Sequence, residues 1–113
     1  MLASHSPVED AAAFGIRLSR LNGHARLAAF GDIDVVSAPQ LREALALLID
    51  NHVQRLLVDL SEVTFIDSAG LEALLAAQRQ LVANGGGLEI VACTRWVLRL
   101  LRVTELDRYL LAP

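Results

Sequence analysis

The sequence has no lysine, a single cysteine and very few aromatic residues. Each shortage excludes something. One cysteine, Cys93, cannot close an internal disulfide, and it sits at the end of the apolar run 88–92. It reads as a small packed hydrophobe in a reducing compartment. With 4% aromatics against 54% hydrophobic residues, the core must be built from Leu, Val, Ile and Ala. All ten basic residues are Arg, which reads as compositional bias of the genome rather than chemistry. The net charge is -3, with no basic run and no interleaving of aromatic and basic residues. Direct binding to DNA or RNA is therefore not expected. No apolar stretch reaches the length of a membrane span. The first residues lack the charged start and apolar core of a secretory signal, so the default location is the cytoplasm.

What is present fits one soluble domain of 113 residues, large enough to fold without a metal or disulfide. Residues 1–12 offer little to bury and are expected to form a flexible tail, with the domain over 13–113. Phe14, Ile16 and Leu18 alternate with Gly15, Arg17 and Ser19, the period of a half-buried strand. Asn22-Gly23 signals a tight turn, and Arg26 to Phe30 reads as the return strand of a β-hairpin. Gly31-Asp32-Ile33-Asp34 ends it. Ser37, with Gln40 three residues on and Pro39 in the first turn, predicts a capping box. Leu41, Leu45 and Leu48 carry that helix to about Ile49.

Arg55 to Leu60 reads as a strand, and Val63 to Ile66 as an apolar approach to a helix over Ser68–Val82. The inward stripe predicted for that helix is Leu71, Leu74, Leu75, Leu81 and Val82. Gly85-Gly86-Gly87 stops it with a left-handed cap. Leu88 to Ala92 is a strand, Arg95 to Val103 a helix, and Leu106 to Leu111 a last helical turn. The order ββαβαβα predicts an α/β fold, a mixed sheet opened by the hairpin with helices packed on it.

The chemistry concentrates at Asp67-Ser68-Ala69-Gly70, where an apolar strand turns into a helix. Backbone N–H groups and the helix dipole favour negative charge there. Two readings stand side by side. Either Asp67 or Ser68 simply caps the helix, or the pair is a functional site. Capping explains only one of the two polar residues. It also leaves Gly70, in a first turn where glycine weakens a helix, to be explained by close packing or close approach of another backbone. On the same helix Ala69, Ala73 and Ala76 are expected to point away from the Leu stripe, either as a flat docking face or as ordinary helix-forming alanines.

Enzyme readings find little support. His5, His24 and His52 are scattered without metal-ligand spacing, and Ser68 lacks the glycines of a nucleophile elbow. The glycine run follows a helix and precedes a strand, the wrong side for a phosphate loop. No catalytic residue, metal or cofactor is assigned. Trp96 reads as a packing or rim residue.

The run Val58-Asp59-Leu60-Ser61-Glu62-Val63-Thr64-Phe65-Ile66-Asp67-Ser68-Ala69-Gly70-Leu71 resembles the signature of STAS domains, in particular the bacterial anti-sigma factor antagonists. Gly31-Asp32-Ile33-Asp34 resembles a second family segment, and Leu100-Leu101 with Val103 to Asp107 the C-terminal helix and its turn. The resemblance spans roughly residues 14–111. It implies an antagonist that binds a cytoplasmic serine-kinase anti-sigma factor and so releases a sigma factor. Ser68 would be the phosphorylated residue, with a cognate phosphatase resetting it. Asp32, Asp34 and Asp67 would lie on the partner-binding surface, joined by Ala69, Gly70, Ala73 and Ala76 of the helix. Many relatives carry a second hydroxyl where this chain has Ala69, which leaves Ser68 alone at the junction. Many also have a longer C-terminal helix, so a homodimer stays among the expectations. An alternative within the same fold is a soluble subunit of a lipid-transport ABC complex. A nucleotide-binding enzyme using the acidic residues is the remaining reading.

Overall fold

Asn22, at φ 59°, takes the left-handed conformation that lets strand β1 (Gly15–Leu21) turn directly into β2 (His24–Ile33). The computed structural model describes residues 13–113, so the tail expected over 1–12 lies outside it. The chain continues through α1 (Ala38–Asp50), β3 (Arg55–Ile66), α2 (Ser68–Ala83), β4 (Gly87–Cys93), α3 (Arg95–Val103) and α4 (Asp107–Leu110). The sheet order is β1-β2-β3-β4, with β1 antiparallel to β2 and the other neighbours parallel. This is the mixed α/β sheet opened by a hairpin. Leu111 forms a parallel bridge to Ile90, and Ala112 N–H donates to Ile90 O at 3.0 Å, so the last residues cover part of the outer edge of β4.

The sheet has two unlike faces because alternate residues point opposite ways. One face carries Ala25, Leu27 and Ile33, Leu56, Val58 and Leu60, and Leu88 and Ile90, all buried. Val97 and Leu101 of α3 and Leu110 of α4 join the same core. On the other face charged side chains pair diagonally between strands: Arg26 with Asp59 at 2.9 Å and Arg55 with Glu89 at 2.9 Å. There Phe30 lies beneath the Arg17 guanidinium, 4.8 Å from ring centroid to charge, and against Gly15. A Cβ at Gly15 would fall 2.2 Å from the ring, so this strand residue is glycine to admit the aromatic.

Several sequence expectations change. β3 is one strand of 12 residues, running straight through Ser61-Glu62 to Ile66, where two separate pieces were expected. Asp59 holds that stretch, accepting from Ser61 N–H at 2.9 Å. Ser37 does not cap α1 through its side chain. Its hydroxyl instead accepts from Asp34 N–H at 2.9 Å and donates to Asp32 O at 2.8 Å. In α2, Val82 is exposed and Leu75 half-buried, whereas Ala73 and Ala77 are buried. Counting Leu75 and Val82 as inward rotated the expected stripe. The true one is centred on Gly70, Leu74, Ala77 and Leu81, with Leu71, inward as expected, on one flank and Ala73 on the other, where α1 packs. Gln78 then ties three elements together: its Nε2 donates to Tyr109 O at 2.6 Å and its Oε1 accepts from Leu88 N–H at 2.7 Å.

All three long helices end in the same way. The residue after the C-cap is left-handed, at His52 (φ 67°), Gly85 (φ 88°) and Glu105 (φ 61°). The next N–H reaches back to the helix: Val53 to Leu48 O, Gly86 to Leu81 O and Leu106 to Leu101 O, at 3.0, 2.8 and 2.9 Å. This is the Schellman arrangement, which glycine fills without strain. Only α2 uses glycine for it. Glu105→Gly is therefore expected to stabilise the chain by about 1 kcal/mol, the steric penalty of a left-handed non-glycine residue. A rise in the midpoint of urea unfolding at unchanged slope is the readout.

Candidate functional site

The last paired residues of β2 and β3 are Ile33 and Ile66, and the ladder continues one step as Asp67 N–H donates to Ile33 O at 3.1 Å. This register brings Asp32, Asp34, Asp67 and Ser68 to one place, the carboxyl end of two parallel strands. Open α/β sheets bind their ligands at such ends. Gly31 marks a break in the pairing. Its φ of 84° lies where the register shifts from Gly31↔Val63 to Asp32↔Phe65, so that β3 carries one extra residue, Thr64, opposite this step. The Asp32 carboxylate then accepts a hydrogen bond from the Thr64 hydroxyl on β3.

The junction separates the two polar residues by role. Asp67 is the N-cap of α2. Its Oδ1 accepts from Ala69 N–H at 2.9 Å and Gly70 N–H at 3.3 Å, with an extended backbone. Ser68 is the first helical residue and is exposed. Among the described residues its hydroxyl makes no hydrogen bond. So the cap is Asp67, and Ser68 stands beside it at the positive end of the helix with a hydroxyl open to solvent.

Gly70 is explained by packing. It is buried, and a Cβ there would lie 2.6 Å from Ile33 Cγ2 and 2.7 Å from Ile66 Cγ1. The first turn of α2 seats on the ends of both strands because this residue has no side chain. The close approach is made by core side chains, so Gly70 itself offers nothing to a partner. Ala73 is equally withdrawn, buried under α1, and the expected outward alanine face reduces to exposed Ala76 and half-buried Ala69.

Asp34 organises its own loop. Oδ1 accepts from Val36 N–H and Ser37 N–H, both at 3.0 Å. The Ser37 N–H is the largest cause holding its carboxyl below the ordinary value of 3.8, with Val36 N–H and the Ser37 hydroxyl adding to it against a smaller effect of burial. The loop this creates lifts Val35 and Val36 into solvent, 72% and 80% exposed. On the other side of the site Phe65 stacks on Trp96, with centroids 6.3 Å apart and planes 14° from parallel, and both rings are partly exposed. Sequence reasoning read Trp96 as a packing or rim residue and Phe65 as part of an apolar strand, and it did not place them or the two valines at the site. Phe65 and Trp96 are distant in the chain, and only the β3–α3 packing joins them. The adjacent valines after Gly-Asp-Ile-Asp, in a stretch too short to bury them, were the available signal.

The arrangement is an exposed hydroxyl at a helix N-terminus, beside carboxylates and between two apolar edges. It is a surface, not a cavity. Among the described residues no three His, Cys, Asp or Glu side chains gather to hold a metal, and no helix is long and apolar enough to cross a membrane.

A strand-to-helix serine junction at the end of a mixed sheet of this order defines a class. The family model described as "Mlab, STAS domain" matches residues 16–112, and the chain belongs to the STAS domain family. Among its relatives is the anti-sigma-B factor antagonist of Bacillus subtilis, 34% identical over 76 residues, which are 67% of this chain and 69% of that protein. The anti-sigma-F factor antagonist RsfB of Mycobacterium tuberculosis is 32% identical over 87 residues, 77% of this chain and 70% of that one. The crystal structure of an anti-sigma factor antagonist from Mycobacterium paratuberculosis superposes with a TM-score of 0.80 at 29% identity, covering 89% of this chain and 86% of that one. Unphosphorylated SpoIIAA, at 20% identity and a TM-score of 0.75 over 88% of this chain and 86% of that one, shares the fold.

Two outcomes follow from the geometry. Gly70→Ala forces a methyl between Ile33 and Ile66 and is expected to lower stability by about 1–3 kcal/mol, as overpacking does, measured by urea unfolding. In an acid titration followed by NMR, the Val36 and Ser37 amide resonances are expected to move with a midpoint below 3.8, because the folded state holds Asp34 ionised. Its contribution to stability is present above the unfolded carboxylate value and is lost as pH falls through the lower folded one. Asp34→Asn removes that transition.

Proposed function

We propose that this chain is an anti-sigma factor antagonist: it binds a cytoplasmic serine-kinase anti-sigma factor, frees the sigma factor, and is switched off by phosphorylation of Ser68. The observation that carries this reading is the division of labour at the junction. Asp67 supplies the cap, so Ser68 is exposed at a helix N-terminus with no structural duty. The names of the relatives supply the class of partner and favour this reading over a lipid-transport subunit.

The role is one of binding, not catalysis. The partner docks over Ser68, Asp32, Asp67, Ala69 and Ala76, with the Val35-Val36 loop shaped by Asp34 at one edge and Phe65 at the other. A phosphate on Ser68 adds about -1.5 to -2 charges at neutral pH. The domain tolerates it, because the dipole at the N-terminus of α2 favours an anion and Ser68 is exposed to solvent. The docked complex does not, because the phosphate and the carboxylates of Asp32 and Asp67 would be desolvated together. The fold stays as it is and the complementarity is lost. A cognate phosphatase restores it.

Incubation with ATP and the purified serine-kinase anti-sigma factor of the same organism, followed by intact mass, tests the switch. Wild type is expected to gain one phosphate and Ser68→Ala none, while Ser68→Ala still binds. Ser68→Asp is expected to bind at least about tenfold more weakly, or ~1.4 kcal/mol. Equal phosphorylation of wild type and Ser68→Ala, or undiminished binding by Ser68→Asp, would sink the reading.

A further inference from the structure

Of the three exposed arginines of α3, Arg95 and Arg99 have no partner among the described residues, and Arg102 has only the favourable place of a cation in the last helical turn. Arg95, Arg99 and Arg102 recur at the spacing that puts residues on one helical face, within roughly 60° at about 100° per residue. All three are exposed, and the opposite face buries Val97 and Leu101 completely. Among the described residues the ion pairs are Arg17–Glu62, Arg26–Asp59 and Arg55–Glu89, so none of these three is neutralised. Arg95 is the first residue of the helix, where a cation opposes the dipole and local stability argues against it. Three bare cations thus share nine residues of a chain whose net charge is -3.

Their position is tied to the Ser68 end. The Thr94 hydroxyl, which caps α3 by accepting from Val97 N–H, donates to Val63 O on β3 at 3.2 Å. Trp96 stacks on Phe65, two residues before Asp67. Trp96 therefore links the exposed face of α3 to Phe65, on the strand that leads into Ser68, with Val103, 75% exposed, at the far end of the helix.

We propose that the exposed face of α3, formed by Arg95, Arg99 and Arg102 with Trp96 and Val103, is a second contact patch that receives an acidic surface segment of the same partner that docks on Ser68. This rests on the functional reading above and extends it. The carboxylates Asp32 and Asp67 at the strand ends and the arginine row along α3 give the surface two patches of opposite charge, linked through Phe65 and Trp96. A partner must present a basic patch to one and an acidic patch to the other, which fixes its orientation and speeds the encounter. The adjacent carboxylates would repel an anionic bilayer, and the apolar part of this face is only Trp96 and Val103, too little for a lone interfacial helix.

Association of the full chain with the same purified serine-kinase anti-sigma factor, measured at low and high salt, tests the patch. The triple variant R95E/R99E/R102E is expected to associate about tenfold more slowly at low ionic strength and to converge on wild type at high salt, since peripheral charges act mainly on the association rate. The neutral variant R95Q/R99Q/R102Q, which keeps good helix formers, is expected to fall between them and guards against a folding defect. Wild-type binding with unchanged rates and salt dependence in both variants overturns the patch and leaves the Ser68 reading standing. Binding of wild type to phosphatidylglycerol vesicles, abolished in the triple variant, overturns it in favour of a membrane surface. Failure of wild type to bind the anti-sigma factor overturns the functional reading and this inference together.

Discussion

The absence of a side chain at Gly70 is the constraint on which the site depends. Parallel strands β2 and β3 end together at Ile33 and Ile66, and both isoleucines reach into the space a Cβ would occupy. The first turn of α2 can therefore sit directly on the strand ends. That placement allows Asp67 to continue the ladder with its backbone while its side chain closes the helix. A larger residue would push the helix away and part Ser68 from Asp32. Glycine is a poor helix former, and here that local weakness is offset by close contact between helix and sheet.

The two loops around the junction are built by different means toward one result. On the β2 side a left-handed glycine lies at the register shift with β3, and Ser37 and Asp34 then exchange hydrogen bonds that hold a short loop with two valines outward. On the α3 side Thr94 bonds to β3 and Trp96 covers Phe65. Both leave apolar side chains exposed beside carboxylates on otherwise well-satisfied backbone. Such exposure at one end of a small domain suits a partner-binding surface. The face of the sheet bearing Arg26–Asp59 and Arg55–Glu89 carries charge in pairs, each a partly exposed ion pair between neighbouring strands.

The residues expected at the site differ in what they can do. Ser68 and Asp32 reach the surface, and Asp67 lies beside them while capping the helix. Asp34 turns its carboxylate on its own loop, which holds Val35 and Val36 in solvent. Gly70 and Ala73 are buried, one against the isoleucines and one under α1, so they shape the surface from beneath. The family resemblance singled out Ser68, Asp32, Asp34 and Asp67, and the helical reading of α2 added Gly70 and Ala73; neither registers which residues are covered once the helices pack.

The order of elements, the hairpin at Asn22-Gly23, the helix over Ser68–Ala83 and the serine junction were legible in the sequence, because they rest on local rules: alternation, turn-forming residues and caps within a few positions. The roles of Asp67 and Ser68 were not, since either could have capped the helix and the choice was made by where β3 delivers the chain. Nor was the inward side of α2, because leucine and alanine occur around much of that helix and only the packing of α1 decides which alanines are covered. The pairing of Phe65 with Trp96 and the docking of α3 on β3 were decided by tertiary structure alone, through contacts that no spacing in the chain encodes.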